Sequence, residues 1–349
     1  MFVITGGGTG GHLAIAKAIA IELKNQQIPC IYIGSLIGQD RQWFNDSNLF
    51  IKTYFLDSTG VVNKQGIGKL KALYKTYKAV CECRAILTTH CVKAVISVGG
   101  FSAAGASVAA ISKAIPLFIH EQNAAFGTLN KILSPFSQAV FGSFPLPTTK
   151  FVACNYPVRA EFFTKARTRS EVKCIVFLGG SQGALAINNL ALEIVPTLLK
   201  QGYTIIHQCG DRDLARVSEQ YKNLGLLDSL TLFAFNPNII DMLYQADICI
   251  GRAGASSVWE SCANGLPCFF IPYPYAHKNH QYLNAATLYN EGLCGLCPQA
   301  ELQSKKVLDF IQESKQRDIA NISNALRAKI APNGASEIIS YIQKILLQS

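Results

Sequence analysis

The sequence predicts an α/β protein with two Rossmann-like parallel-sheet domains that face a shared cleft. Glycine-rich turns stand between an apolar strand and an apolar helix at residues 6–12 and again at residues 179–184, half a chain apart. Short apolar runs alternate with helical stretches along the whole chain, a pattern typical of parallel sheets covered on both faces. The chain has 349 residues, more than one hydrophobic core usually supports.

Each half of the chain contributes five predicted strands, and in sheets of this type ligands bind beyond the carboxyl ends of the strands. The strands cover residues 2–5, 30–33, 94–98, 117–120 and 139–141, then 175–178, 204–208, 231–235, 248–251 and 268–271. A break in the pattern at residues 155–159 marks the linker. We expect an N-terminal domain over residues 1–154, a C-terminal domain over 160–330, and a C-terminal helix within 331–349 that crosses back to the first domain.

The first glycine turn leads into a helix that begins with a histidine. The pattern GxGxxG at residues 6–11 matches the dinucleotide fingerprint, but the second strand lacks the acid that would bind a ribose, and the next acid is Asp40. A nicotinamide enzyme is therefore disfavoured. His12 follows at the predicted cleft edge, where an imidazole that titrates near neutral pH suits proton abstraction. The alternative is a histidine that only caps or packs.

Polar side chains also follow other predicted strands. In the run HEQN at residues 120–123, Asn123 could bind a sugar hydroxyl, whereas Glu121 could instead satisfy local backbone groups. The helix after residue 252 could hold a diphosphate at its N-terminus and bring Glu260 to ribose hydroxyls, although Ser257 and Glu260 also fit a capping box. The amide of Gln281 suits the neutral hydroxyls of a sugar.

Neither the acidic turn nor the cysteines indicate a metal site. Asp211 and Asp213 lie in a polar turn, where such residues are common. Cys294 and Cys297 form a lone CxxC without a second pair or a histidine cluster, so we expect no zinc or redox role. The cysteines in or beside predicted strands are expected to be buried as small hydrophobes: Cys30, Cys174, Cys249 and Cys268.

The positive charge is concentrated in the first half of the chain. Residues 1–160 carry 15 Lys and Arg against 6 Asp and Glu, whereas the remainder carries 17 against 16. Much of the excess lies in a predicted amphipathic helix with Lys64, Lys69, Lys71, Lys75 and Lys78 interleaved with Ile67, Leu70, Leu73, Tyr74 and Tyr77. Such a helix favours an anionic membrane surface as a partner, and no nucleic acid is expected. The alternative is a surface helix that packs its apolar residues on the sheet.

No signal peptide and no membrane-spanning stretch is predicted, so we expect the chain to be made and kept in the cytoplasm. The most apolar stretch, residues 102–119, is interrupted by Lys113, Pro116 and several small residues.

Seven motifs in order along the chain resemble the MurG family of bacterial N-acetylglucosaminyltransferases. They are GGTGGH at 7–12, GGFS at 99–102, HEQN at 120–123, PVR at 157–159, GGSQGA at 179–184, RAGA at 252–255 with Glu260, and HQ at 280–281. The resemblance implies a GT-B fold. It also implies an inverting transfer of N-acetylglucosamine from UDP-GlcNAc to the muramoyl 4-hydroxyl of undecaprenyl-diphosphate-linked lipid I, which makes lipid II for peptidoglycan at the cytoplasmic face of the inner membrane. No cofactor is expected, since helix N-termini together with Arg159 can stabilise the leaving diphosphate without a bound metal.

The resemblance also implies the site residues. His12 is the candidate base, Glu260 contacts the ribose, Gln281 contacts the donor sugar, and the backbone near Asn236 holds uracil. Residues implied at the diphosphate are Ser181, Ala255, Ser256 and Ser257, and residues implied to approach the sugar and phosphates from the first domain are Thr9, Gly10, Gly11, Asn123 and Arg159. Tyr156 departs from the family's Asn-Pro-Val-Arg linker. A UDP-GlcNAc 2-epimerase, another GT-B glycolipid synthase and a non-catalytic UDP-sugar sensor are the alternatives.

Overall fold

The computed structural model describes residues 1–60, 66–180, 183–236 and 238–348. These residues form two compact units. The first unit comprises Met1–Arg159 together with Asn333–Ser349, and the second comprises Ala160–Pro332.

The first unit is built on a parallel sheet of seven strands in the order β3-β2-β1-β4-β5-β6-β7. The strands are β1 (Phe2–Thr5), β2 (Cys30–Ser35), β3 (Thr53–Leu56), β4 (Ala94–Ser97), β5 (Leu117–His120), β6 (Ala139–Gly142) and β7 (Phe151–Ala153). The helices between them are α1 (Gly10–Asn25), α2 (Asp40–Phe44), α3 (Gly66–Thr89), α4 (Ala104–Ser112) and α5 (Thr128–Leu133). The central strands β1, β4 and β5 are buried on both faces, and their side chains are apolar except for a polar residue at the carboxyl end of each.

The register of this sheet brings several strand ends to one edge. Thr5 of β1 lies opposite Ile33 of β2 and opposite Ser97 of β4. His120 of β5 lies opposite Phe141 of β6. The loops after β1, β4 and β5 therefore leave the sheet at the same edge, since all these strands run parallel.

The second unit repeats this architecture with six parallel strands in the order β10-β9-β8-β11-β12-β13. The strands are β8 (Cys174–Leu178), β9 (Thr204–Gln208), β10 (Thr231–Phe233), β11 (Ile248–Gly251), β12 (Cys268–Phe270) and β13 (Gly295–Leu296). The helices are α6 (Ala160–Thr164), α7 (Leu185–Lys200), α8 (Leu214–Asn223), α9 (Ile239–Gln245), α10 (Ala255–Asn264), α11 (His280–Asn290), α12 (Ser304–Gln316) and α13 (Ile319–Arg327). Its core lies between β8, β9, β11 and the apolar faces of α7 and α12.

The last helix, α14 (Gly334–Gln348), packs against α1 of the first unit. Glu337 anchors its start because Oε2 accepts a hydrogen bond from the backbone N–H of Asn155 at 2.7 Å. Gly334 lies against the same segment, where a Cβ would overlap the carbonyl oxygen of Asn155. Gln343 donates to Gln26 at the end of α1 at 3.2 Å.

The predicted α/β class with two parallel sheets is confirmed. All ten predicted strands form, and β1, β5, β9 and β11 have the predicted bounds. Among the described residues, no helix is both long enough and apolar enough to span a bilayer. The cysteines predicted in strands are buried, and all twelve cysteines of the chain are free thiols.

Candidate active site

The glycine turns after β1 and β4 of the first unit contact each other directly through their backbones. The N–H of Gly7 donates to the carbonyl oxygen of Gly99 at 3.1 Å. Gly6 and Gly100 have positive φ values of 113° and 78°, and a Cβ on either would overlap a carbonyl oxygen of the opposite turn. Glycine is required here because the two chains approach more closely than any side chain allows.

His12 lies in the first turn of α1, half-buried between two polar partners. Its Nδ1 is 2.9 Å from Oγ1 of Thr9, and its Nε2 is 3.0 Å from Nε2 of Gln122. When the Gln122 amide donates to the ring, Nδ1 carries the proton and donates to Thr9. The ring is then neutral and oriented on both edges, and Nε2, the nitrogen that could take up a proton, is the one that faces Gln122.

Glu121, which follows β5, organises the loop that carries Asn123. Its carboxylate is 3% exposed and accepts hydrogen bonds from the backbone N–H of Asn123 at 3.1 Å and of Gly127 at 2.9 Å. The side-chain amide of Asn130 donates to it at 2.9 Å. The local role expected of Glu121 is therefore confirmed, and the carboxylate fixes the backbone of the half-buried Asn123.

His120, one residue earlier, is a buried histidine whose role the sequence did not reveal. It is fully buried, and neither ring nitrogen has a hydrogen-bond partner. The ring packs edge-on against Tyr156 with the centroids 5.9 Å apart. Burial, with a smaller contribution from His12, lowers the pKa of His120 to about 3, so the ring is neutral at physiological pH.

The second glycine turn, after β8, is shaped by its own surroundings. The N–H of Gly179 donates to the carbonyl oxygen of Gln208 at 2.8 Å. Gly183 has a φ of 77°, and a Cβ there would lie 2.7 Å from the carbonyl oxygen of Cys209. The predicted diphosphate contact Ser181 lies outside the described residues.

A buried polar network supports this turn. Nε2 of His207 is 3.1 Å from Oδ1 of Asn188, and its Nδ1 is 3.1 Å from the hydroxyl of Tyr221. The Asn188 amide donates to Asp213 at 2.7 Å and to the carbonyl oxygen of Cys209 at 2.9 Å. Burial lowers the pKa of His207 to about 4, against a smaller opposing effect of Asp213. Asp213 also pairs with Arg216, so its role in this unit is structural.

Helix α10 begins at Ala255, and Gly254 is its N-cap. Ser257 is therefore the third residue of the helix, and the capping box considered for Ser257 and Glu260 is wrong. Ser257 is exposed, whereas Ser256 and Glu260 are half-buried. These side chains and the amides at the start of α10 follow β11 at the carboxyl edge of the sheet.

The loop after β12 is held by two side chains. Oε1 of Gln281 accepts a hydrogen bond from the backbone N–H of Tyr273 at 2.9 Å. Arg252 donates to the carbonyl oxygens of Ile271 at 2.9 Å and Pro272 at 3.2 Å, and it lies over the Tyr273 ring. Gln281 therefore occupies the carboxyl edge with its carbonyl oxygen bonded to the loop.

Gly10 and Gly11 are the first two residues of α1, and two other predicted site residues lie in loops. Asn236 follows β10, and its Oδ1 accepts a hydrogen bond from the N–H of Asn238 at 2.8 Å, which makes an Asx turn. Arg159 is half-buried and ends the first segment of the first unit.

Helix α3 exposes the apolar side chains that the sequence placed on a basic helix. Leu70, Tyr74 and Tyr77 are 67%, 69% and 67% exposed, and Leu73 is 48% exposed. The residues that pack towards α4 are instead small ones, such as Ala79. The alternative in which the apolar residues pack on the sheet is therefore wrong for these four. Lys64 and the side chains of Ile67 and Lys69 lie outside the described residues.

Two family descriptions match the chain: the glycosyltransferase family 28 N-terminal domain over residues 2–142 and the glycosyltransferase family 28 C-terminal domain over residues 174–339. A protein of Helicobacter hepaticus named UDP-N-acetylglucosamine–N-acetylmuramyl-(pentapeptide) pyrophosphoryl-undecaprenol N-acetylglucosamine transferase is 54% identical over 348 residues, which cover 99% of each chain. The crystal structure of Acinetobacter baumannii MurG superposes with a TM-score of 0.79 at 28% identity and covers 98% of this chain and 99% of that one.

A UDP-GlcNAc 2-epimerase from Neisseria meningitidis, crystallised with UDP-GlcNAc, has a TM-score of 0.68 at 13% identity and covers 99% of this chain and 100% of that one. At that identity it shares the fold alone. The two parallel-sheet units, each with glycine turns at its carboxyl edge, form the GT-B fold, and the two family matches make the chain a glycosyltransferase of that fold. The chain belongs to glycosyltransferase family 28. The resemblance to MurG inferred from the seven motifs is confirmed.

Proposed function

We propose that the protein transfers N-acetylglucosamine from UDP-GlcNAc to the muramoyl 4-hydroxyl of lipid I and so makes lipid II. The observation that carries this proposal is the 54% identity, over 99% of both chains, to a relative whose name states that transfer. Identity at that level over both units supports the same donor and the same acceptor.

The reaction is one displacement at the anomeric carbon. The acceptor oxygen forms the new bond to C1 of the donor sugar, while the bond from C1 to the diphosphate breaks and its electron pair leaves with UDP. We assign His12 as the base that takes the hydroxyl proton, because its ring is held on both edges by Thr9 and Gln122. Thr9, Gly10, Gly11, Asn123 and Arg159 are proposed to bind substrate in the first unit.

The leaving diphosphate needs donors that are already in place. We assign this role to the N-terminal amides of α10 at Ala255, Ser256 and Ser257, together with Ser181, since helix N-termini favour phosphate groups. Glu260 is assigned to the ribose, Gln281 to the sugar, and the backbone at Asn236 to uracil. The chemistry asks for no cofactor.

We further propose that α3 binds the anionic cytoplasmic face of the inner membrane peripherally. Four large apolar side chains on consecutive turns face solvent, which is unusual unless they contact another surface. Lys71 is exposed beside them, and a helix with apolar and basic residues on one side suits an anionic bilayer. This surface would bring the protein to a lipid-linked acceptor.

Radiolabelled UDP-GlcNAc incubated with lipid I tests the proposed reaction. We expect the label in a lipid product that depends on lipid I. Release of UDP with N-acetylmannosamine would support an epimerase instead, and unchanged donor would support a sensor. His12→Ala should lower turnover by more than the roughly 10²–10³-fold typical of one lost transition-state donor. Near-full turnover at saturating lipid I would refute the assignment of His12.

Sedimentation with vesicles tests the membrane proposal. The variant with Leu70, Tyr74 and Tyr77 changed to Ser should lose most binding to phosphatidylglycerol-containing vesicles. Matched substitutions of the exposed Leu224 and Leu347 to Ser remove comparable apolar side chains elsewhere and should leave binding unchanged. Equal binding by both variants would remove α3 from the proposal.

A further inference from the structure

Asp40 is a fully buried carboxylate that binds the first glycine turn from inside the protein. Its Oδ2 accepts the backbone N–H of Gly8 at 2.7 Å. Its Oδ1 accepts the N–H of Ser35 and the hydroxyl of Tyr32, each at 3.0 Å. The Tyr32 hydroxyl also lies 2.9 Å from the carbonyl oxygen of Gly6, so both ends of the turn meet this pair.

The glycines around Asp40 leave room for the carboxylate. A Cβ on Gly7 or on Gly34 would lie 2.7 Å from Oδ1 of Asp40, closer than atoms can approach. A Cβ on Gly38 would lie 2.9 Å from Cα of Gly8. Gly7 and Gly34 are therefore glycines at least in part because the Asp40 carboxylate occupies the space that a side chain would need. The N–H of Gly8, bonded to Asp40, is also not offered to an anionic ligand.

Gly8, the residue that Asp40 holds, is the sequence neighbour of Thr9, whose hydroxyl orients His12. Gly8 precedes Thr9, which is the N-cap of α1 and adopts an extended backbone with φ −133° and ψ 154°. The Thr9 hydroxyl makes no cap hydrogen bond to the helix and lies instead 2.9 Å from Nδ1 of His12. Whatever fixes Gly8 therefore fixes the position from which Thr9 holds the imidazole.

We propose that Asp40, assisted by Tyr32, is a positioning residue for His12 and acts through Gly8 and Thr9. The inference rests on the proposed function, since it requires His12 to be the base. Charged acceptors form stronger hydrogen bonds than neutral ones, and the buried carboxylate faces three donors: two backbone N–H groups and the Tyr32 hydroxyl, whose single proton it shares with the carbonyl oxygen of Gly6. Asparagine has nearly the same shape, but its NH2 group would face at least one of these three donors in place of an acceptor oxygen. Asp40→Asn should therefore weaken the hydrogen bonds that hold the turn without leaving a cavity.

A double-mutant cycle separates positioning from general structural damage. We compare wild type, Asp40→Asn, His12→Ala and the double variant, with kcat and KM measured separately for UDP-GlcNAc and lipid I. Asp40→Asn should lower kcat by about 10–100-fold, because misplacing a reacting group by about 1 Å can cost 10²-fold. The KM for UDP-GlcNAc should change less than threefold. In the His12→Ala background, Asp40→Asn should lower kcat by less than twofold, since the group it positions is gone.

Two further variants keep the test decisive. Tyr32→Phe removes one hydroxyl and leaves the Asp40–Gly8 bond, so it should lower kcat by a smaller factor, and its effect should also vanish without His12. It replaces Asp40→Asn in the cycle if that variant does not fold. Asp46→Asn makes the same chemical change at an exposed position six residues on and should match wild type.

If Asp40→Asn lowers kcat by the same factor in the presence and in the absence of His12, the inference is overturned and the proposed function is left intact. An Asp40→Asn enzyme with wild-type kcat would have the same consequence. A wild-type enzyme that places no label in lipid would overturn both.

Discussion

Gln122 and His12, 110 residues apart in sequence, meet with 3.0 Å between the two Nε2 atoms. Gln122 follows β5 and His12 lies in the first turn of α1, so the contact joins the loop after β5 to the start of α1 at one edge of the first sheet. The Thr9 hydroxyl holds the opposite edge of the ring. The identity of residue 122 should therefore tune the protonation of the proposed base.

Gln122→Glu should shift the acidic limb of the pH profile of kcat/KM to higher pH by about one unit or more. A carboxylate at this distance favours the imidazolium and raises the pKa of His12, so the ring stays protonated and unable to accept a proton up to a higher pH. Turnover should be depressed at pH 7 and recover near pH 9. Gln138→Glu, exposed in the same unit, is the control. Superimposable profiles for Gln122→Glu and wild type would contradict the assignment.

Gly100→Ala should abolish turnover, whereas Gly202→Ala should not. Both glycines have positive φ, 78° and 85°, so alanine strains the backbone at either position. At Gly202 a Cβ meets nothing within 4 Å, but at Gly100 it overlaps the carbonyl oxygen of Gly7. The second change displaces the turn that leads to His12, and we expect a loss of at least 10²-fold in initial rate. Circular dichroism checks that both variants fold. Equal activity of the two variants would show that turnover does not depend on the close contact between the two glycine turns.

Strands with apolar runs could be predicted from the sequence, whereas three short edge strands could not. β1 and β5 are apolar runs buried on both faces, so composition alone marks them. Three strands were missed, β3, β7 and β13, and they lie at or next to a sheet edge with only two to four residues each. Their side chains are mostly half-buried, so no apolar run or clear alternation marks them.

The glycine turns and His12 could be predicted because their signals are local. Asp40 was noticed only as an acid in the wrong place for a ribose, since its partner Gly8 lies 32 residues away and such a contact leaves no local pattern. His207 had a usable signal: it interrupts an apolar strand, and a buried polar group requires a partner. The capping box at Ser257 failed because Gly254 starts the helix earlier.

Arg169→Met should destabilise the second unit by about 3 kcal/mol or more. The buried guanidinium donates to the carbonyl oxygens of Leu243 at 2.8 Å and Ala246 at 3.2 Å, and also to the backbone and side chain of Asn264. Methionine fills similar volume without donors, so these acceptors lose their partner at about 1–3 kcal/mol each. Burial lowers the pKa of Arg169 to about 9, which keeps it charged at neutral pH.

Urea unfolding followed by tryptophan fluorescence measures this loss. The chain has two tryptophans, Trp43 in the first unit and Trp259 in the second, so a Trp43→Phe background reports the second unit alone. Arg212→Met, at an exposed position of the same unit, should change the unfolding free energy by less than about 0.5 kcal/mol. Equal midpoints for the two variants would show that the Arg169 bonds contribute no net stability.

Acidification should destabilise the second unit through His207. The folded protein holds this ring neutral with a pKa of about 4, whereas the unfolded chain takes up a proton near the ordinary value of 6.5. Stability from this group is therefore complete above pH 6.5 and is lost as the pH falls from 6.5 towards 4. One pKa unit corresponds to about 1.4 kcal/mol, so the loss is on the order of 3 kcal/mol at pH 4.

His207→Gln removes the titration while keeping an amide that can reach Asn188. We expect it to lower the free energy of unfolding at pH 7.5. Between pH 6.5 and 4.5, however, this free energy should depend less on pH than in wild type, by up to the effect of one bound proton. The measurement is urea unfolding of Trp43→Phe proteins, followed by Trp259 fluorescence at several pH values. If both proteins lose stability equally across this range, another group carries the acid sensitivity, and the buried network around His207 is not its source.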